Sequence, residues 1–266
     1  MKAARSDPPA KPRGSLRAPM PSKAVTVVEP RDPRTGRGGV MCVVKSFRYK
    51  DKLVLICFDE DPMDPRKEWD NAGIFWAWHR SYTIGDEDEV TRHDQTFCKS
   101  DFDPSNFNNF GELADAIYAK HRAVLVLPVY MLDHSGLSLS VGDFRDRWDS
   151  GQLGVIWLPR EGLADIGHKI ASKGAIAKAE DLLKAEIAVA NAYVSGDVYG
   201  WQTFELVDGT KGKRLDSCWG YYGSDEIPYM LECALGSAEA AKAAEELSKH
   251  DTQNHRIALR SAEHRP

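Results

Sequence analysis

Residues 176–222 read IAKAEDLLKAEIAVANAYVSGDVYGWQTFELVDGTKGKRLDSCWGYY, and this stretch decides the fold. Its first part repeats small and aliphatic side chains at steps of three and four residues: Ile176, Ala179, Leu183, Ile187, Ala190 and Val194. That spacing places them on one face of an α-helix. The glycine that follows, Gly196, can adopt the left-handed conformation that ends helices. The pattern therefore predicts one long amphipathic helix.

The second part of the stretch is typical of a β-hairpin. Residues 198–207 and 214–222 are rich in aromatic and β-branched side chains, and the turn signal Asp208-Gly209 lies between them. Because the second run begins only at Arg214, we expect a connection longer than two residues.

Other strands and helices are predicted on both sides of this stretch. Runs at 43–44 and 53–58 flank Tyr49-Lys50-Asp51 as a hairpin, and further strands are expected at 74–79, 123–132, 137–140 and 153–158. Pro128 interrupts one of them and indicates a sheet edge or a bulge. Helices are predicted at 110–122, with Asn109 as N-cap, and at 227–235 and 238–250.

The order of these elements indicates the fold class. Strands come in groups and do not alternate strictly with helices, which favours an α+β fold over a doubly wound one. We expect a mixed, largely antiparallel sheet with one long amphipathic helix and C-terminal helices.

The first 40 residues differ in composition from the rest. They hold seven of the fourteen prolines and nine Lys or Arg against three acids, a net charge of +6, so the remainder carries −5 − 6 = −11. Such a segment buries too little apolar surface to offset its chain entropy. We expect residues 1–40 to be a disordered basic tail, residues 41–250 a single α+β domain, and residues 251–266 a frayed C-terminus.

The acidity of the remainder is concentrated in residues 51–115, where sixteen Asp or Glu face six Lys or Arg, a net of −10. Nucleic-acid-binding folds carry the opposite sign, so direct binding of DNA or RNA by the folded body is disfavoured. No apolar run is long enough to span a bilayer, and no secretory signal is recognisable. Five cysteines without a C-x-x-C pair fit reduced thiols, and Cys57 fits a core position. We expect a cytoplasmic protein.

An aspartate next to a tryptophan, serine or glycine recurs five times and predicts one surface or cavity built from several loops. The units are Trp69-Asp70-Asn71, Asp133-His134-Ser135-Gly136, Trp148-Asp149-Ser150-Gly151, Gly196-Asp197-Val198-Tyr199-Gly200 and Asp216-Ser217-Cys218-Trp219-Gly220.

One hypothesis for these units is a divalent metal or acid/base site. Imidazole and carboxylate groups suit a transition metal, and carboxylates alone suit calcium or magnesium. Its candidate ligands are Asp133, His134, Asp149 and His79, with Asp197 or Asp216 as further ligands. The alternative is that these aspartates accept backbone hydrogen bonds in Asx turns at strand ends.

Other catalytic motifs fail on specific residues. Residues 59–70 resemble a calcium loop in acidity, but Asp64 stands where the turn needs glycine. Cys218-Trp219 lacks the surrounding peptidase motif, Ser135 lies in no Gly-x-Ser-x-Gly elbow, and no phosphate-binding glycine loop is present.

Seven tryptophans are numerous for this length. Those inside predicted strands, Trp76, Trp157 and Trp201, are expected in the core. Trp69, Trp148 and Trp219 adjoin the aspartate-bearing loops, where a rigid aromatic can anchor a partner.

Five segments together resemble an uncharacterised family carried by bacteriophages and other mobile elements, across residues 53–223. They are Pro65-Arg66-Lys67-Glu68-Trp69-Asp70-Asn71, Leu132-Asp133-His134-Ser135-Gly136, Trp148-Asp149-Ser150-Gly151-Gln152-Leu153-Gly154, Gly196-Asp197-Val198-Tyr199-Gly200 and Asp216-Ser217-Cys218-Trp219-Gly220-Tyr221-Tyr222-Gly223. The resemblance implies a genomic setting in which accessory proteins often blunt host defences, and it implies no activity.

The leading functional expectation is a non-enzymatic acidic protein, without a cofactor, that binds and inhibits a host defence or nucleic-acid-handling complex. Its expected interaction surface comprises Asp59, Glu60, Asp61, Asp64, Glu68, Trp69, Asp70, Asp86, Glu87, Asp88, Glu89, Trp148 and Trp219. The alternatives are a metal-dependent hydrolase using the Asp/His site and a structural or assembly factor. The oligomeric state is left open.

Overall fold

The α+β prediction is confirmed. The computed structural model of the protein describes residues 25–28, 40–246 and 248. Its strands are β1 (Val25–Val28), β2 (Val40–Tyr49), β3 (Lys52–Phe58), β4 (Ile74–Ala77), β5 (Glu89–Arg92), β6 (Gln95–Cys98), β7 (Leu125–Asp133), β8 (Leu137–Ser140), β9 (Ser150–Leu158), β10 (Val198–Val207) and β11 (Thr210–Tyr222). Its helices are α1 (Pro65–Glu68), α2 (Phe110–His121), α3 (Lys173–Ser195) and α4 (Ile227–Leu235), and residues 238–246 are also helical.

The strands form two main sheets where the sequence predicted one. The first sheet has the order β1-β2-β3-β10-β11 and the second the order β4-β9-β7-β8, while β5 and β6 pair as a separate hairpin. Every pairing between these strands is antiparallel. The chain leaves the first sheet after β3, builds the second, and returns through α3 to β10.

Each main sheet has a core of its own. In the first sheet, Ile56 and Trp201 pack against Met230 and Leu231 of α4. Cys57 of β3 is buried on the opposite face, as predicted. The second sheet is covered by α3 on one face and by α2 on the other, which explains why β9 is a continuous buried run from Leu153 to Leu158.

Local signals in the sequence placed several elements correctly. Asn109 caps α2 by accepting a hydrogen bond from the Glu112 backbone N–H at 3.1 Å, and Gly196 ends α3 with φ +73°. At Pro128, β7 has a neighbouring strand on one side only, which is β9, because β8 pairs with β7 from Tyr130 onward. The β7–β9 register also shifts between Val129 and Tyr130. A locally free edge next to a bulge is what the proline predicted.

The predicted length of the β10–β11 connection is wrong. β11 begins at Thr210, so only Asp208 and Gly209 connect the strands, and both have positive φ, +50° and +76°. Two such residues form the tight turn that suits the twist of antiparallel strands. The early part of β11 is polar and mostly exposed, so its sequence lacks the alternation of apolar and polar residues that predicts a strand.

Part of the N-terminal segment predicted to be a disordered tail pairs with the first sheet. Val25–Val28 forms β1, antiparallel to the start of β2. The rest of that segment up to residue 39, and the predicted frayed end 251–266, lie outside the described residues. Among the helices that the structure describes, none has an apolar stretch sufficient to cross a membrane.

Candidate functional site

The five aspartate-bearing units lie in two places, not on the one surface that the sequence predicted. The units at residues 69–71, 196–200 and 216–220 meet around one end of the first sheet. The units at 133–136 and 148–151 meet at the β7–β8 turn of the second sheet.

The first place is an open groove of about 640 Å³. The indoles of Trp69 and Trp219 form parts of its wall, with exposures of 39% and 40%. The carboxylates of the segment after β3 line it too, and among the residues that the structure describes no basic side chain does. Its full lining is Phe58, Asp59, Glu60, Asp61, Met63, Trp69, Trp219, Gly220 and Tyr222. We call this site the acidic aromatic groove.

Two glycines determine where the Trp219 ring lies. Gly200 pairs with Trp219 across β10 and β11, and a Cβ added to Gly200 would lie 2.1 Å from Cε3 of that indole. The indole therefore packs on a bare backbone. Since Tyr199 pairs with Tyr221, Gly220 is an extra residue in β11, with φ +83°. A glycine in that conformation is typical of a β-bulge, which bends the strand at the groove.

Tyr222 fixes the position of Trp69 in the wall. Its ring meets that of Trp69 edge-on, with 4.9 Å between centroids and an interplanar angle of 79°. Its hydroxyl donates a hydrogen bond of 2.5 Å to the Met63 carbonyl. Burial, followed by the negative charge of Asp59, raises the pKa of Tyr222 to about 12, so the hydroxyl keeps its proton and its bond.

Three carboxylates of the groove remain available to a ligand. Among the residues that the structure describes, Asp59, Glu60 and Asp61 have no Lys, Arg or His within ion-pair distance. One oxygen of Asp59 accepts a hydrogen bond from the Asp61 backbone N–H at 3.1 Å. The nearby Asp64 is already engaged, because it caps α1 and lies 3.4 Å from the Lys67 ammonium.

Two of the three aspartates in these units, Asp197 and Asp216, accept hydrogen bonds from groups close to them in the sheet or the chain. Asp197 accepts from the Tyr199 hydroxyl at 2.5 Å and from the Ser224 backbone N–H at 3.2 Å. Asp216 accepts from the backbone N–H of Ser217 at 2.8 Å. These bonds fit the turn-forming alternative, and neither residue joins the proposed metal ligands.

Asp86 was expected on the interaction surface and is instead buried, at 6% exposure. The guanidinium of Arg66 makes two 2.8 Å bonds to it and one of 2.8 Å to Glu186 of α3. Asp86 also accepts from the Phe75 backbone N–H at 2.9 Å. Both oxygens of the Asp86 carboxylate are therefore engaged in this buried network, which connects α1 to the second sheet.

The other predicted surface residues are exposed but do not line the groove. Glu68 and Asp70 flank Trp69, while Glu87, Asp88 and Glu89 lead into the β5–β6 hairpin. There Asp88 pairs with Lys99 at 2.6 Å. The acidic surface is therefore divided between two regions of the molecule.

The second meeting place contains all four candidate metal ligands. Oδ2 of Asp149 accepts a hydrogen bond of 2.5 Å from Nδ1 of His134, and the Asp149 backbone carbonyl accepts one of 2.8 Å from the Asp133 backbone N–H. Tyr82 donates to Asp133 at 3.0 Å and stacks on the His79 ring with centroids 4.8 Å apart. The hydrogen bond and charge of Asp149 raise the pKa of His134.

These contacts link the four candidate residues one after another. Within the described part of the chain, no three His, Cys, Asp or Glu side chains are grouped so that they could hold an ion. His79 Nδ1 accepts from the backbone N–H groups of Ser81 and Tyr82 at 3.1 and 3.2 Å. Trp148 lies beside this turn and is 93% exposed. Its backbone N–H donates a hydrogen bond to the Asp146 carboxylate.

Sequence reasoning missed several residues of the groove. Phe58, Met63 and Tyr222 line it, and Gly200 provides the flat backbone under Trp219. Gly200 lies within one of the five aspartate-bearing units, so the sequence drew attention to that segment but not to the role of this glycine. No protein-family model matches the chain, and neither a curated protein nor a solved structure does.

Proposed function

We propose that this protein is a mobile-element accessory protein that binds and inhibits a host defence or nucleic-acid-handling complex. It does so without catalysis, by capturing a basic segment of that complex in the acidic aromatic groove. The mobile-element setting rests on the family resemblance alone, and the binding role rests on the groove.

The observation that carries the binding role is the pairing of exposed tryptophans with carboxylates that lack an ion-pair partner among the described residues. Aromatic residues are enriched among the few side chains that dominate interface energies. A cavity of about 640 Å³ falls in the range of ligand-binding clefts. Trp69 and Trp219 supply anchors, and Asp59, Glu60 and Asp61 supply the charge.

The charge explains how binding would inhibit. Complexes that handle nucleic acids present basic grooves to phosphate groups. A protein whose residues beyond the first 40 carry −11 is attracted to such a surface and competes with the nucleic acid for it.

The proposal is tested by site-specific photocrosslinking of the full-length protein in a host cell. A photoreactive residue replaces Met63, which is exposed and lines the groove, or Ile170, which is also exposed and is not among the lining residues. We expect the Met63 position alone to crosslink a subunit of a nucleic-acid-handling complex. The crosslink should disappear when Asp59→Asn and Asp61→Asn are combined.

Identical crosslinks from both positions, or crosslinks from Met63 to virion components, would contradict the proposal. Unchanged activity of the captured complex when the protein is added would contradict inhibition.

The second candidate is a hydrolase centred on Asp133, His134 and Asp149. The observation in its favour is the direct contact between His134 and Asp149, an arrangement that orients an imidazole for proton transfer. Elemental analysis of the purified protein separates the two candidates. Stoichiometric metal that is lost in Asp149→Ala would favour the hydrolase.

A further inference from the structure

We infer that the acidic aromatic groove takes an arginine side chain presented by an extended, basic peptide segment. This inference rests on the proposed function and specifies the chemistry of its partner. It follows from the walls, the rim and the size of the groove.

The walls suit a planar cation. Trp69 and Trp219 each leave about two fifths of their surface exposed, and the described residues that line the groove include no Lys or Arg that would repel a positive charge. Indole is the best of the aromatic rings for cation–π contact. Both rings are held in place before a ligand arrives, Trp69 by the edge of Tyr222 and Trp219 by the backbone of Gly200. Preorganised contacts lose little entropy on binding.

The rim distinguishes arginine from lysine. Asp59, Glu60 and Asp61 follow one another directly after β3 and all three line the groove, so a ligand there lies close to several carboxylate oxygens. A guanidinium stacks on an aromatic face and, in the same plane, donates fork-like pairs of hydrogen bonds to carboxylates. An ammonium is a compact, strongly hydrated charge that can do only one of these well.

The size and surroundings of the groove favour a peptide over a free small cation. A volume of about 640 Å³ exceeds what one side chain fills. Exposed Glu68 and Asp70 continue the negative charge past Trp69. Further basic residues beside the arginine would therefore meet carboxylates and not apolar surface.

This chain's own first 40 residues are also basic, with a net charge of +6. We assign the groove to a segment of a different protein. The reason is that Val25–Val28 of those 40 residues pairs as β1 at the edge of the first sheet opposite to β11, the strand that carries Trp219.

The test measures binding of short labelled peptides to the full-length protein by fluorescence anisotropy at low salt. The peptides share one glycine-serine background with flanking lysines and differ only at the central residue, which is arginine, lysine or the uncharged isostere citrulline. We expect the arginine peptide to bind at least about tenfold more tightly than the citrulline peptide, with lysine between them.

Variants assign the binding to the groove. Trp219→Ala should weaken the arginine peptide at least about tenfold, which is the usual effect of losing an aromatic anchor. Combining Asp59→Asn with Asp61→Asn removes charge from exposed or half-exposed sites without disturbing the core, so it remains informative if Trp219→Ala misfolds. Trp148→Ala, outside the groove, is the matched control and should bind as the unchanged protein does.

Equal affinity for the arginine and citrulline peptides, or loss of binding in Trp148→Ala to the same extent as in Trp219→Ala, would overturn the inference. Crosslinks from Met63 to residues 1–39 of the same molecule or of a second copy would overturn it as well. If no peptide binds while Met63 still crosslinks a host complex, the inference fails and the proposed function stands. If both fail, the groove is not a partner-binding site.

Discussion

Single glycines decide the shape of the groove more directly than its aspartates do. Gly200 leaves room for the Trp219 indole, and Gly220 adopts a φ of +83° at the bulge beside it. The aspartates in the same segments mostly accept backbone hydrogen bonds. Residue types therefore predicted the turns correctly, but the pattern could not reveal that a glycine on one strand seats a tryptophan on its neighbour.

Gly200→Ala should lower both stability and peptide binding. The new methyl group would overlap the Trp219 ring and the Cys218 carbonyl, at 2.1 and 2.8 Å, so the indole must move. Overpacking of this kind costs about 1–3 kcal/mol. Thermal unfolding and the fluorescence anisotropy of the labelled arginine peptide measure the two effects. Gly151→Ala, whose new methyl group meets no atom within 4 Å, is the control, and equal losses in both variants would contradict the account.

His121 should make the fold sensitive to acid. Its ring stacks on Trp157 at 5.3 Å and meets Phe97 at 5.1 Å. Burial, and after it the charge of Lys120, lowers its pKa, while Asp101 raises it by a smaller amount. The folded state therefore binds this proton less readily than the unfolded chain, in which the pKa of a histidine is about 6.5. Stability is present above that pH and is lost as pH falls below it.

The melting temperature of the unchanged protein should accordingly fall between about pH 7 and pH 5, and less steeply in His121→Phe. His134→Asn is a control of opposite sign. Asp149 raises the His134 pKa, so that pair contributes below about pH 6.5 and its contribution is lost as pH rises through the folded value. An unchanged pH profile in His121→Phe would contradict the assignment.

At the scale of the elements, helices and their ends were predictable because their signals are local. The caps at Asn109 and Gly196 each act within a few residues of the chain. The start of β11 was not predictable, since Thr210 to Arg214 face solvent and lack the apolar alternation of a half-buried strand.

The two-residue turn before β11 gives a direct test of that element. Gly209→Ala forces an alanine into a left-handed conformation with φ +76°, where its methyl group meets no other atom, so only backbone strain acts. We expect a loss of about 1 kcal/mol in denaturant unfolding. Gly174→Ala, in the first turn of α3, should instead leave stability unchanged or raise it by about 0.5–1 kcal/mol. The reverse order would contradict the turn assignment.

The placement of α1 depends on the buried Arg66 network. The guanidinium binds Asp86, Glu186 and the Gly73 carbonyl, all at 2.8 Å. Removing one partner of a buried ion pair leaves an unpaired charge and costs about 3–5 kcal/mol. Arg66→Met should lose that amount of unfolding free energy, whereas Lys67→Met, which removes an exposed pair, should lose less than about 1 kcal/mol. Similar losses in both variants would show that the network is not stabilising.

For the whole molecule, strands were predictable but their partners were not. β3 pairs with β10, which aligns Leu53 with Phe204 across most of the chain. Periodicity identifies a strand and carries no information about which distant strand completes its hydrogen bonds. For the same reason the five aspartate units were assigned to one surface, while the topology sends them to two sheets.

The two sheets should nevertheless unfold as one body. α3 packs on the second sheet and feeds directly into β10 of the first, and Arg66, just after β3, is bonded to Glu186 on α3. Opening either sheet alone would expose part of this shared helix or leave the buried charges of the Arg66 network unpaired. Both outcomes cost free energy, so neither sheet opens alone. Native-state hydrogen exchange should give the same free energy of opening for residues 54–57 and 155–158. In Arg66→Met the two values should separate, because the charge link between the sheets is gone. Different values in the unchanged protein would mean that the sheets are independent folding units.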